Sequence, residues 1–487
     1  MIPNDINQYI EENEIKINER FRHKFHAMPP IGWMNDPNGL CVFEGKLHLF
    51  YQYHPYDSKW GPMHWGHQVT ENLLEWEHLP VALTPGNEYD LNGIFSGSAV
   101  IKDEKINLLY TGHTDKGDTI RQVQCIASSK DGVTFTKHIN NPIIDERNIP
   151  DLIDMNNFRD PKIWSFNHKY IMAVGTKTKD KKGQFVFFSS LDLLNWTYLN
   201  TFCSKEDLGS MWECPDVFTM EGDYILMISP QFMRDPDGTI GNIHKTVIVT
   251  GTFDENLKFT EKTTQIIDYG FDFYAPQTVM LEDGRRIMMA WMNMWDRTYI
   301  PHELKHGWCG SMTLPRELRC ENGHIYQAPI NEIMGLRKNE INLTKLCKAN
   351  NHRIAMDTVQ LNHVIDMEMS FEFGASGLLN LSLFNRDYTL TLDKEQQSIT
   401  IRRESAKYPI MSNGIADNVR TTKYDYSDDK THNLRIIVDV SSIEVFVDYG
   451  RVTLTSLLFS DYTNDVSVSG HDIVVHQFSC WDLKFKD

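Results

Sequence analysis

KLHLFY at 46–51 returns as KINLLY at 105–110, KYIMAV at 169–174, DYILMI at 223–228 and RIMMAW at 286–291, at intervals of 59, 64, 54 and 63 residues. Each copy has the length and apolar content of a strand, and a second apolar segment precedes it. Between the two lies a tight-turn signal: Glu44-Gly45, Asp103-Glu104, Glu221-Gly222 or Asp283-Gly284, residue types that suit a short hairpin. A later marker also repeats, as Thr70-x-Asn72-x-x-x-Trp76, Ser129-x-Asp131-x-x-x-Phe135 and Ser190-x-Asp192-x-x-x-Trp196, with a looser version from Asp254 to Phe259. Several strands per copy and five copies predict a five-bladed β-propeller, one sheet per copy around a common axis.

Counting back from the second strand of each copy, Asp36 and Glu213 lie ten residues before it and Asp160 nine before. Three carboxyl groups thus stand at one place in three repeats, and the innermost strands must carry them to one end of the axis. Solvated surface acids are the ordinary fate of Asp and Glu; shared register in otherwise divergent repeats argues for a clustered site instead. The same register holds Phe95 and Ser96 in the second copy and Tyr274 and Ala275 in the fifth.

Composition narrows the function classes. The 487 residues carry a formal net charge of -18, with no basic run, so nucleic acid and anionic membrane are excluded as expected partners. No stretch reaches the roughly 20 apolar residues of a membrane span. Residues 1–21 read as a polar helix or extension capped near Asn4 or Asp5, without a signal peptide's apolar core, which predicts a cytoplasmic protein. Eight cysteines without C-x-x-C pairs make no disulfide framework.

The expected domains are the extension at 1–21, a catalytic propeller at 22–325, a linker at 326–350 and a β-sandwich at 351–487. The last rests on alternating segments such as IDMEMSFEF, YTLTLD, SITIRR, LRIIVDV and SIEVFVD, with turns between them. The fold class is therefore all-β. His302-Glu303-Leu304-Lys305-His306 matches H-E-x-x-H, but Pro301 and Gly307 flank it and no amphipathic helix extends it. It reads as a loop coincidence, so no metal and no cofactor are expected.

Paired carboxyls flanking a scissile bond are the machinery of glycoside hydrolysis. Sugar pockets add amides, charges and aromatic faces, and the sequence supplies Asn35, Gln52, Trp60, Ser96, Arg159, Tyr274 and Trp291 around the inferred centre. An oxygen-only calcium site is the competing use of three acids. The motifs WMNDPNG (33–39), FSGS (95–98), FRDP (158–161) and WECP (212–215) resemble those of glycoside hydrolase family 32, as do WGPMHWGH (60–67), FDFYAPQ (271–277) and PREL (315–318). The resemblance covers nearly the whole chain and implies a propeller joined to a β-sandwich.

It also implies a retaining β-fructofuranosidase acting on a small sugar, either sucrose or sucrose 6-phosphate. Asp36 would be the nucleophile, Glu213 the general acid/base, and Asp160 the holder of fructose hydroxyls. Asn35, Gln52, Trp60, Phe95, Ser96, Arg159, Tyr274 and Trp291 would bind the sugar. Such an acid must keep its proton near neutrality, so Glu213 is expected raised and Asp36 ionised. Alternatives are an exo-hydrolase of short fructans and a non-catalytic carbohydrate-binding propeller. A phosphate would need cations at the rim, for which His113, Arg121, Lys177, Lys205 and Arg297 are candidates.

Overall fold

The computed structural model describes residues 5–150, 153–234, 241–350, 353–426 and 430–485. Five antiparallel sheets form a propeller whose innermost strands are Gly32–Phe43, Gly93–Lys102, Arg159–Phe166, Met211–Met220 and Tyr274–Met280. These belong to blades I to V. Each innermost strand packs on the next and the fifth packs on the first, which closes the ring. Trp308–Cys309, after the second strand of blade V, pairs parallel with Gly32 and Trp33 of blade I and ties the closure.

The repeated sequence signals have local causes. The first hairpin turns with two consecutive positive φ values at Glu44-Gly45, Asp103-Glu104, Asn167-His168 and Glu221-Gly222, the twist-compatible geometry for two-residue loops. Blade V differs: only Gly284 has positive φ there, and Leu281 N–H bonds Arg285 O in a longer loop. The Thr/Ser-x-Asn/Asp marker is the turn from third to fourth strand. Thr70 Oγ1 accepts from the N–H groups of Asn72 and Leu73, and Asn72 Oδ1 from those of Leu74 and Glu75. Ser190 and Asp192 repeat the arrangement. Side chains here stand in for backbone partners the turn lacks.

The register of the three acids is not identical, contrary to the count from sequence. Pairing to the second strands puts Glu213 level with Arg159 and Phe95, opposite Ser229, Gly175 and Thr111. Asp160 therefore stands one residue further along, and Asp36 lies in the break between Met34 and Pro37. All five innermost strands bulge at this level. A bulge lets consecutive side chains, which would otherwise point to opposite faces, both turn toward the axis. The cost is backbone strain, with φ of 66° at Asp160, 45° at Cys214 and 51° at Ala275.

The C-terminal domain is a β-sandwich around an aliphatic and aromatic core that includes Met367, Phe371, Leu381, Leu390, Ile401 and Val445. Two nineteen-residue strands, Ile365–Leu383 and Asp465–Leu483, pair along their length with bulges. The first half of Ile365–Leu383 pairs with His432–Asp439 and the second half with Tyr388–Asp393, so one strand serves both layers. Within residues 326–350, Arg337–Asn342 and Lys348–Asn350 are strands paired into this domain. An N-terminal helix, Ile6–Glu14, is capped by the Asp5 side chain; Asn4, the other expected cap, lies outside the described residues. Among the described residues, no helix is long and apolar enough to cross a membrane.

Propeller and sandwich meet over buried charge. His26 Nδ1 lies 2.8 Å from Asp439 and Nε2 2.9 Å from Glu444, both on sandwich strands. Glu444 also takes Arg316 at 2.6 Å, and Arg316 reaches Asp268 at 3.1 Å. Burial works against the His26 charge, but the two carboxylate bonds outweigh it and lift His26 to about 9. Neighbouring His23 is lowered to about 3 by burial and by the His26 charge.

The signs oppose one another. The raised His26 stabilises the fold below its unfolded value of about 6.5 and loses that contribution as pH rises through 9; the depressed His23 costs stability as pH falls below 6.5. The combined contribution of these two histidines is greatest near pH 6.5. The His26 contribution is on the order of 3 kcal/mol. Thermal unfolding from pH 6.5 to 9.5 should show a falling Tm in the wild type and a much flatter profile in His26→Gln. Parallel profiles in the two proteins would remove His26 as the source.

Candidate active site

A pocket of 540 Å³ opens on the propeller axis at the bulged level of the innermost strands. Asp36, Asp160 and Glu213 all line it, together with Asn35, Gln52, Trp60, Phe95, Ser96, Arg159 and Tyr274. Of the expected residues, Trp291 alone is set back. It is fully buried and packs edge-on to Trp33 at 5.7 Å and beside Trp295 at 4.9 Å. Trp295 takes the lining position instead. The family resemblance implies Trp291, whereas the pocket wall comes from the loop after its strand.

The carboxyls are fixed by a short network. Asp36 Oδ2 accepts from Ser96 Oγ at 3.0 Å and lies 3.4 Å from Cys214 Sγ, while its buried Oδ1 has no partner in the protein. Asp160 Oδ2 accepts from Cys214 N–H at 3.0 Å and stands 3.6 Å from the same sulfur. The Cys214 thiol therefore sits between two acids. Glu213 Oε1 takes Arg159 Nη2 at 2.7 Å and Nε at 3.1 Å, and Oε2 takes Tyr274 Oη at 2.5 Å. That hydroxyl is also 3.0 Å from Ser229 O. It can donate to an ionised Glu213, or accept from a protonated one while donating to Ser229.

Behind these groups, Trp33 Nε1 donates to Asn35 Oδ1 at 2.7 Å and Gln52 Nε2 to Ile94 O at 3.1 Å. Gly97 permits the bulge of blade II, since a Cβ there would stand 1.9 Å from Leu109 O. Phe95 stacks on His113 at 4.2 Å and meets Trp60 edge-on at 6.2 Å, which makes an aromatic wall. Trp60 is 49% exposed, an unusual state for an indole unless its face serves a ligand.

The electrostatic order of the free site reverses the expected one. Burial pushes Glu213 up, but the Arg159 guanidinium, with His244 and the Tyr274 bond, outweighs it and holds Glu213 below the ordinary carboxyl range. Burial and the Glu213 charge raise Asp36 against the bonds from Asn35, Ser96 and Cys214. Burial likewise raises Asp160, to about 7, although Arg159 opposes it. One arginine cannot compensate three buried acids, so the trio titrates as a unit. Trp212, next to Glu213 on the strand, bonds Leu208 O through its indole and packs on Phe185 and Phe202, away from the pocket.

Gln122, Asn157, Gln231, His244, Asp115 and Asp296 also line the pocket and were missed, and His113, a rim candidate from the sequence, lines it too. They sit on second and third strands or loops, where distance from the repeat register carries no information. The H-E-x-x-H segment forms only a four-residue helix, Ile300–Glu303. His302 bonds Ser58 Oγ at 2.8 Å and His306 stacks on Phe21 at 5.9 Å, so the two rings serve separate contacts.

The model for the glycosyl hydrolases family 32 N-terminal domain matches residues 26–329, and that for the family 32 C terminal matches residues 332–482. A sucrose-6-phosphate hydrolase of Zymomonas mobilis subsp. mobilis is 35% identical over 480 residues, covering 94% of this chain and 90% of that protein. A raffinose invertase of Escherichia coli is 36% identical, covering 89% of each. Among solved structures, a Bombyx mori GH32 beta-fructofuranosidase, also solved as a mutant in complex with sucrose, superposes with a TM-score of 0.82 at 34% identity. That match covers 98% of this chain and 97% of the other.

Proposed function

Because the chain belongs to glycosyl hydrolases family 32 over both of its domains, we propose that it hydrolyses the terminal β-D-fructofuranosyl bond of sucrose or of its 6-phosphate. The observation that carries the reading is the convergence of Asp36, Asp160 and Glu213 in one axial pocket. Relatives named as sucrose-6-phosphate hydrolase, raffinose invertase and beta-fructofuranosidase support it.

The fructosyl unit enters the dead end of the pocket and its leaving group remains at the mouth. Asp36, whose carboxyl group lines the pocket, attacks the anomeric carbon. The bond to the glycosidic oxygen breaks as Glu213 gives that oxygen its proton, and a covalent fructosyl-enzyme results. Glu213 then takes a proton from water, which attacks the same carbon and frees Asp36. Asp160 holds fructose hydroxyls, and its negative charge favours the oxocarbenium-like transition state. Asn35, Gln52, Trp60, Phe95, Ser96, Arg159 and Tyr274 position the sugar, with Trp291 supporting from behind.

Proton placement must change on binding, since Arg159 holds Glu213 ionised in the free site. Sugar hydroxyls donating to Asp36 and Asp160 favour their ionised forms, and the proton they shed suits Glu213. The Tyr274 hydroxyl accommodates either state of Glu213 without moving.

The test is product chemistry. Incubation with sucrose should release equal amounts of glucose and fructose. With methanol in the buffer, methyl β-D-fructofuranoside should accumulate, because two displacements retain configuration. The α-anomer would overturn the covalent route, and no cleavage of sucrose or its 6-phosphate would overturn the assignment.

A further inference from the structure

The depth of the pocket is the same for sucrose and for its 6-phosphate, so the choice between them lies at the mouth. A phosphate there is a dianion and needs convergent cations. The structure accounts for each of the five basic residues that sequence offered. Arg121 forms a two-pronged pair with Glu146, one contact at 2.7 Å. Arg297 is buried against Asp272 and Asp417, and Lys177 turns toward Asp154 at 3.7 Å. Lys205 is exposed and outside the pocket lining. His113 does line the pocket, but burial, with Arg159 adding and Asp115 opposing, lowers it and so disfavours its charged form.

Among the described lining residues, Arg159 alone is a permanent cation. Glu213 takes two of its contacts, and Gln122 and Asn157 take weaker ones at 3.3 and 3.4 Å. What the mouth does present is negative. Asp115, at the end of the second strand of blade II, and Asp296, in the loop after the second strand of blade V, are exposed and line the pocket. Amides of Asn157 and Gln231 stand with them, suited to neutral hydroxyls.

We infer that the leaving group accepted at this mouth is a neutral sugar, and that Asp115 and Asp296 select against a phosphorylated one. This rests on the fructofuranosidase reading and narrows it. The two exposed acids at the rim repel a dianion, and among the described lining residues no cation at the rim offsets its desolvation.

The experiment compares kcat/KM on sucrose and on sucrose 6-phosphate with the full chain. At low ionic strength sucrose should be preferred by about tenfold or more. The gap should narrow as salt rises, since the screening length falls from about 30 Å at 0.01 M to about 8 Å at 0.15 M. In the double variant Asp115→Asn/Asp296→Asn the ratio should move toward the phosphate by roughly threefold or more. Equal or better efficiency on the phosphate by the wild type overturns the inference, whether or not the variant folds; so does a ratio that the variant leaves unchanged. Cleavage of neither sugar instead overturns the underlying assignment, which distinguishes the two failures.

Discussion

Asp36→Asn should lower sucrose turnover by roughly 10⁴-fold or more while leaving the fold intact. The amide is isosteric and its oxygen can still accept from Ser96 Oγ and Cys214 Sγ, so the pocket keeps its shape. It cannot form the fructosyl ester. Stability should not fall, and a small rise in Tm is expected, because a buried carboxyl that burial and the Glu213 charge already raise is replaced by a neutral amide. Steady-state kinetics and thermal unfolding on one preparation check both claims. Activity within tenfold of wild type, with trace wild-type contamination excluded, would remove Asp36 from the nucleophile's role.

Glu213 should separate the two half-reactions. Glu213→Gln is expected to slow sucrose cleavage by about 10²–10⁴-fold, since the glucosyl oxygen leaves poorly without a proton. An aryl β-D-fructofuranoside, whose leaving group needs no acid, should suffer far less in the first step and accumulate the covalent intermediate. Azide should then restore turnover of Glu213→Ala with that substrate and yield a β-fructosyl azide, because an anionic nucleophile needs no general base. The alanine variant should also be less stable than the glutamine one. It leaves Arg159, buried and bonded to Glu213 through two nitrogens, without its main counter-charge. Near-normal sucrose hydrolysis by Glu213→Gln would end the acid/base assignment.

The free-site charge order bears on both experiments. Asp160 raised to about 7 and Glu213 held low mean that kcat/KM, which reports the free enzyme, follows macroscopic values of the trio rather than one residue's. Assigning an acid limb to Glu213 from such a profile alone would be unsafe. The comparison of variants across leaving groups avoids that step.

The amino-acid sequence by itself determined the blade count, the hairpins, the inter-strand turns and the identity of the axial acids. Each is written in local chemistry: positive-φ turn residues at Glu44-Gly45, the Thr70 and Asn72 side chains that satisfy a turn, and apolar strands recurring at one period. It also contained the alternating strands of the sandwich. Only the tertiary structure decided how far each acid is displaced by its bulge, that Trp295 rather than Trp291 forms the wall, and that Cys214 lies between Asp36 and Asp160. The same is true of the proton order, because Arg159 reaches Glu213 across two blades and 54 positions of sequence. The acid mouth likewise joins Asp115 from blade II and Asp296 from the loop after the second strand of blade V. Register repeats along a chain and can be counted there, whereas through-space charge and loop reach depend on how the ring closes.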